Sequence, residues 1–224
     1  MYQDPMATSQ STSQSTSESA SQLLAPALLA LLRRQAGVVT RVQAVRAGLT
    51  GAHVDRLVAR RRWVPLHPRV YRASEYLLTD EARLRAAVLW AGDGAVPCGR
   101  AALWWHGLLP GAPQTITLTV PGRCPDPRPG VDVCRRVLRD HDVITLRGLT
   151  VPVRPLALLD AAVEVGPGGA ALLTALRAHV RLAELQAVAG HAIGAAGARR
   201  LLTDVSCTPS AHRAEWQTSR NRYS

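Results

Sequence analysis

From residue 23 the chain leaves a polar tract and places apolar residues at helical spacing: Leu23, Leu24, Ala27, Leu28, Leu31 and Leu32. That spacing predicts a first helix. Pro26 falls in the first turn, where a missing N–H is tolerated, and Arg33, Arg34 and Gly37 close the helix as dipole partners and C′ residue. Val38-Val39-Thr40 then reads as a short extended piece. Residues 41–47 have helical composition, Gly48 can supply the positive φ that ends a helix with Leu49 packing behind it, and Thr50 is an N-cap for a second helix over about 51–61. Within that helix Val54, Leu57 and Val58 form one apolar face, while His53, Arg56 and Arg60 share another about 120° away. Trp63–Leu66, a turn at His67-Pro68-Arg69 and Val70–Arg72 read as a two-stranded ribbon. Helix, strand, two helices joined by a glycine turn, then ribbon is the outline of a winged helix-turn-helix.

Beyond Arg72 the pattern changes. Asp80 caps a helix of about 81–91 in which Leu84, Val88 and Ala91 share a face, and Gly92-Asp93-Gly94 breaks it. Residues 99–108 read as another helix. Residues 114–121 alternate as a half-buried strand, 131–137 and 142–151 are further strand candidates, and 156–165, about 168–180, 183–191 and 195–203 return to helix. The expected fold class is α+β, an N-terminal winged helix-turn-helix over 23–75 followed by a small mixed α/β domain over 77–205. A low-complexity tail, 1–22, is expected to be disordered, and 206–224 is a polar C-terminal tail.

Charge sharpens the picture for the first of these domains. Ten arginines and one acid, Asp55, lie between 23 and 72, a net +9 within the formal +11 of the chain. Charge so concentrated on a helix-turn-helix is the footprint of a reader of double-stranded DNA. The candidate DNA-binding residues are Arg41, Thr50, His53, Arg56, Arg60, Arg61, Arg62, Arg69 and Arg72. His53 and the first turn of its helix are the candidates for base contact, and Arg69 and Arg72 for phosphate. The competing reading is a solvated arginine face on an ordinary helical domain.

All 27 basic residues are arginine, which excludes a P-loop lysine, Schiff-base chemistry and nucleases that need a catalytic lysine. No enzyme, cofactor or metal is expected. Cys98, Cys124, Cys134 and Cys207 lack zinc-ligand spacing and read as reduced thiols of a cytoplasmic protein. The start lacks the order of a signal peptide, and the apolar run 23–32 is too short to span a bilayer, so no membrane partner is expected. Trp104-Trp105-His106 reads as core packing, Asp140-His141-Asp142 as turn residues, His179 as a helix-end dipole partner and His191 as partnerless. Asp160 and Glu164, four apart, suit catalytic carboxylates but are more simply the polar side of an amphipathic helix.

The order Arg41, Gln43-Ala44, Ala47-Gly48-Leu49, Val54, Leu57, Arg62-Trp63-Val64, Leu66-His67-Pro68, Val70-Tyr71-Arg72 resembles the N-terminal winged-helix domain of AbiEi-like antitoxins in actinobacterial type IV toxin–antitoxin systems. The similarity continues through Arg83, Ala86–Gly92, Gly99–Leu108, Thr119-Val120-Pro121, Arg128–Val131 and Leu158-Leu159-Asp160. It implies a repressor that binds the operator of its own operon and opposes a nucleotidyltransferase-type toxin functionally; separately, one short recognition helix covers only a half-site, and doubling it suggests a homodimer. Three departures matter. The wing turn of such proteins usually reads His-Pro-Gly, whereas Arg69 stands here, and Leu156-Ala157 replaces a usual Arg-Thr. Many relatives also continue past the position of Ala211–Glu215 into a nuclease-like domain resembling very-short-patch-repair endonucleases. Glu215 alone does not make a metal site. The alternative function is therefore a truncated nuclease-family protein that binds DNA without cutting it.

Overall fold

The structure, a computed structural model, describes residues 26–122, 124–126 and 128–207, with side chains as far as Thr203. The polar tract 1–22, the helix start at Leu23 and Leu24, and the tail beyond Cys207 with Glu215 lie outside the described residues. Contacts divide the chain into two compact units, one ending at Gly92 and one beginning at Asp93. The secondary structure mixes helices with small sheets, as expected of an α+β fold.

The first unit runs α1 (26–34), β1 (Val38–Thr40), α2 (Arg41–Arg46), α3 (Gly51–Ala59), β2 (Trp63–His67), β3 (Val70–Ala73) and α4 (Asp80–Ala91). Its sheet has the order β1-β3-β2, antiparallel throughout, with Val39 opposite Tyr71 and Val64 opposite Arg72. This is the winged helix-turn-helix arrangement, and local signals build it. Thr40 and Gln43 form a capping box at the start of α2, and Gln43 exchanges two amide hydrogen bonds with Gln35 at the end of α1. α2 ends in a Schellman motif. Gly48, at φ +99°, donates to Val45 O at 2.9 Å, and Leu49 donates to Ala44 O at 3.1 Å. The Thr50 hydroxyl oxygen then accepts from His53 N at the start of α3.

Strand alternation sends neighbouring residues to opposite faces, and β1 uses both. Val39 joins Leu32, Ala44, Val54, Trp63 and Ala73 in a core against α1–α3, whereas Val38 joins Val70, Ala82 and Ala86 beneath α4. The sheet is thus covered on both sides. The helix over 81–91, assigned by sequence to a domain starting at 77, packs instead on the winged sheet, with Trp90 stacked on His67 at 5.2 Å. Its cap is Thr79 rather than Asp80, because the Thr79 hydroxyl oxygen accepts from Ala82 N.

The second unit contains β4 (Val96–Pro97), α5 (Gly99–Trp105), β5 (Ile116–Val120), β6 (Val131–Arg135), β7 (Val143–Leu146), β8 (Leu149–Pro152), α6 (Arg154–Val165), α7 (Gly169–Leu176), α8 (Leu182–Val188) and α9 (Ala195–Cys207). β5 lies between antiparallel β4 and parallel β6. The apolar stretch 142–151, expected as one strand, is a hairpin. Arg147 and Gly148 both have positive φ, the signature of a type I′ turn. α6 is buried along Leu156–Ala162 and organises the core with α5, α7, α8 and α9. Its continuation to His179 is apolar and long enough to cross a membrane, but half of that window is buried inside the unit. Within it, Leu156–Ala162 is buried without interruption, as in a helix packed on all sides.

Candidate nucleic-acid interface

Nine residues make α3 about 13 Å long, close to the width of a major groove. Val54 is fully buried and Leu57 and Val58 are half-buried, so the opposite side faces out. At 100° per residue that side carries Ala52, Arg56 and Ala59, with Arg60 and His53 on one flank and Asp55 on the other. The two alanines leave room for close approach. Arg56 stands between them, exposed.

Arg41 departs from its expected role. Its guanidinium grips Asp55 with both nitrogens, at 2.5 and 3.0 Å, and also donates to Gly51 O at 3.2 Å. The Asp55 bond raises the arginine's pKa, and the same bond holds the Asp55 carboxyl below its ordinary value. Arg41 therefore joins α2 to α3 and neutralises an acid on the flank of the outward helix. Arg72 departs too. It lies in β3 with its guanidinium turned to Tyr76 O, and its Nε is buried without a partner among the described residues, so it does not reach outward from the ribbon. The Thr50 hydroxyl oxygen accepts from His53 N in the cap, and its O–H remains able to donate. His53 is half-buried on the same face as Arg56 and Arg60.

The remaining candidates lie around the ends of α3. Arg60, Arg61, Arg62 and Arg69 are exposed, as are Arg33, Arg34, Arg46 and Arg56. None of the eight has an ion-pair partner among the described residues. Arg61 closes α3 through a second Schellman motif, donating to Val58 O while Arg62 donates to Leu57 O, both at 2.9 Å, so the helix stops short of the expected residue 61. Arg69 forms the wing turn behind Pro68, and its carbonyl accepts from Arg41 N at 2.8 Å, which sets the turn beside the start of α2 and, through Arg41, near the start of α3. Arg61 has φ +55° and Arg69 φ +61°. Both adopt the left-handed backbone that glycine takes without penalty and other residues at a cost of about 1–2 kcal/mol. At the wing, Arg69 stands at a backbone position that suits glycine, and its side chain adds a charge.

This two-unit architecture has a counterpart among solved structures. The crystal structure of the RV2827C protein from Mycobacterium tuberculosis superposes with a TM-score of 0.53 at 20% sequence identity, over 85% of this chain and 78% of that one. The likeness is one of fold. No family model and no curated protein matches the chain.

In the second unit, Trp105 is buried with its indole N–H donating to Leu146 O at 2.9 Å, and His106 pairs with Pro152 O at 2.8 Å. Both belong to the packing. Burial holds the His106 imidazole below its ordinary pKa, and the imidazole borders a groove of about 410 Å³ with Arg154, His179 and Glu184. Asp160 and Glu164 do not act as a pair. Asp160 is buried against Arg136, with Oδ1–Nη1 2.9 Å and Oδ2–Nη2 2.7 Å, and accepts from Ile193 N at 2.7 Å, while Glu164 accepts from Arg100 N at the start of α5. A side chain at Gly99, φ +56°, would collide with that Glu164 carboxylate. Cys98, Cys124 and Cys134 are free. The hydrogen bond from the Cys98 thiol pulls Cys134 down to about 6, and the same bond together with burial pushes Cys98 up.

Sequence reasoning missed one cluster. Asp142, treated as a turn residue, is buried and accepts from Arg139 N at 3.0 Å, and its other oxygen lies 2.8 Å from His191 Nδ1. His191, expected to be partnerless, reaches it across 49 positions of sequence, a separation that no local spacing reports.

Proposed function

We propose that the chain is a sequence-specific DNA-binding transcriptional repressor of the antitoxin type, cytoplasmic and without catalytic activity, whose α3 enters the major groove of an operator. The observation that carries this reading is the pair of exposed arginines at Arg61 and Arg69, each held in a backbone conformation that favours glycine. Arg147 shares that conformation at a hairpin turn, but its guanidinium lies over the Trp105 ring, whereas Arg61 and Arg69 have no ion-pair partner among the described residues. A phosphate backbone passing both ends of a recognition helix gains a counter-charge at each. The eight unpaired arginines and the neutralised Asp55 support it further. Autoregulation of a toxin–antitoxin operon and a nucleotidyltransferase-type toxin as functional counterpart rest on the resemblance to AbiEi-like antitoxins, and action as a homodimer on the half-site that one short recognition helix covers.

The test is fluorescence anisotropy of the full chain on duplexes selected from a random pool, repeated across a salt series. About five neutralised phosphates give a log–log slope of affinity against salt near −4, and Arg56→Ala lowers specific affinity by about 1–3 kcal/mol if the guanidinium reads a guanine. Affinity independent of salt, or a pool that never converges, refutes the reading.

A further inference from the structure

The cluster at Asp142 has no part in the proposed reading of DNA. Asp142 ends a single 3-10 turn, Asp140–Asp142, and His191 lies in the loop joining α8 to α9. Asp142 Oδ1 stands 2.8 Å from His191 Nδ1 and 3.8 Å from His141 Nε2, and one donor atom from each of the three residues falls within 4.8 Å of the other two. Bonds of about 2.0–2.1 Å in a tetrahedral zinc site put neighbouring donor atoms about 3.3 Å apart. The two separations from Asp142 Oδ1 bracket that value.

The plain alternative is a structural hydrogen bond from His191 to Asp142 that tethers a loop. It accounts for His191 and leaves His141 unexplained. The His141 side chain is 66% exposed and makes no hydrogen bond among the described residues, yet it lies with Nε2 toward the carboxylate oxygen already facing His191. Two imidazoles and one carboxylate match borderline divalent ions of the zinc class rather than magnesium or calcium, which take oxygen donors. The buried carboxylate is fixed on its other oxygen by Arg139 N, the orienting support that metal ligands commonly receive. Arg136, which donates to His191 O at 3.0 Å, has its charge balanced by its own bidentate bond to Asp160. The exposed side of His141 leaves water to complete the coordination.

We infer that His141, Asp142 and His191 form a binding site for a zinc-class divalent cation, which fastens the α8–α9 loop to the 3-10 turn. Binding replaces the hydrogen between His191 Nδ1 and Asp142 Oδ1: a neutral imidazole carries its one proton on Nε2 instead, and a protonated imidazole keeps that on Nε2 and releases the other to solvent, so that both facing atoms bond to the ion.

The experiment titrates Co²⁺ and Zn²⁺ into the full-length chain, freed of metal by chelator, and reads the visible cobalt spectrum, competition with a chromophoric chelator, and melting temperature. The expected result is one ion per chain, a cobalt spectrum without sulfur-to-metal charge transfer, and a melting temperature that rises with metal concentration. His141→Ala, an exposed change that leaves the fold intact, weakens binding at least tenfold, and His191→Ala does the same. Failure to bind, binding unchanged in His141→Ala, or a charge-transfer band placing the ion on cysteine sulfur overturns the inference.

Discussion

Replacing Arg69 by glycine separates fold from function at the wing. At φ +61° the arginine carries about 1–2 kcal/mol of backbone strain. Glycine removes that strain but adds freedom to the unfolded chain, which returns about 0.4–1 kcal/mol. The side chain makes no hydrogen bond or ion pair among the described residues that its loss would forfeit. The net expectation is a gain of about 0.5–1 kcal/mol, a rise of roughly 2–6 °C in the melting temperature of a unit this size. DNA binding moves the other way: one phosphate contact fewer weakens affinity for all sequences alike and reduces the magnitude of the salt slope by about 0.9. Arg69→Lys keeps both strain and charge, so it leaves stability unchanged and retains the salt slope. Calorimetry and anisotropy on the three proteins decide the matter. If Arg69→Gly lowers the melting temperature, the strain argument is wrong; if it leaves the salt slope unchanged, the wing does not touch phosphate.

Asp55→Asn releases Arg41 from its bidentate bond, so affinity for DNA rises severalfold and the salt slope steepens, while Arg41→Ala leaves a bare carboxylate beside α3 and weakens binding. Weaker binding by Asp55→Asn in the same anisotropy assay would mean that the pair serves to position α3 rather than to silence an acid. In the second unit, Arg136→Ala strands the buried Asp160 carboxylate and costs about 3–5 kcal/mol in urea denaturation, whereas replacing both residues by methionine costs much less; a loss under 1 kcal/mol for the single variant contradicts the burial. A fragment of residues 1–92 melts cooperatively because it retains α4 over Val38 and Val70, and one of 1–75 does not; equal melting of the two would show that α4 adds nothing to the winged core.

The winged unit was legible because its signals are local. Thr40, Gly48 and Thr50 act at the helix ends where they stand in sequence, and the apolar face of α3 follows from one period. What was not legible there is how two arginines are used. Arg41 looks the same as Arg56 in sequence, but it sits opposite Asp55 once α2 and α3 pack. Arg72 faces Tyr76 because the strand turns its side chain inward. Arg61 and Arg69 read as charges in the sequence, and their left-handed backbone has no signature in residue type. The place of α4 was missed for a different reason. The composition change after Arg72 marks no boundary, because the short β1 carries Val38 and Val39 on opposite faces and so has two sides to cover.

The second unit shows the limit more sharply, because polar groups far apart in sequence tie it together. Arg136 and Asp160 are 24 positions apart, and Asp142 and His191 are 49. One clue was available. Asp160 sits in a run, Leu156–Ala162, with no other polar residue, and a helix apolar all round is buried all round. A carboxylate in such a run must be buried with it, and a buried carboxylate requires a cation and backbone donors. Pairing it with Glu164 as the polar side of an amphipathic helix overlooked that the helix has no polar side at that turn. The same reasoning predicts a partner for any lone charge in an all-apolar helix, though not which one. Here the choice falls to Arg136, just beyond the end of β6, because the parallel pairing of β5 with β6 carries that residue to the edge of the core where α6 passes.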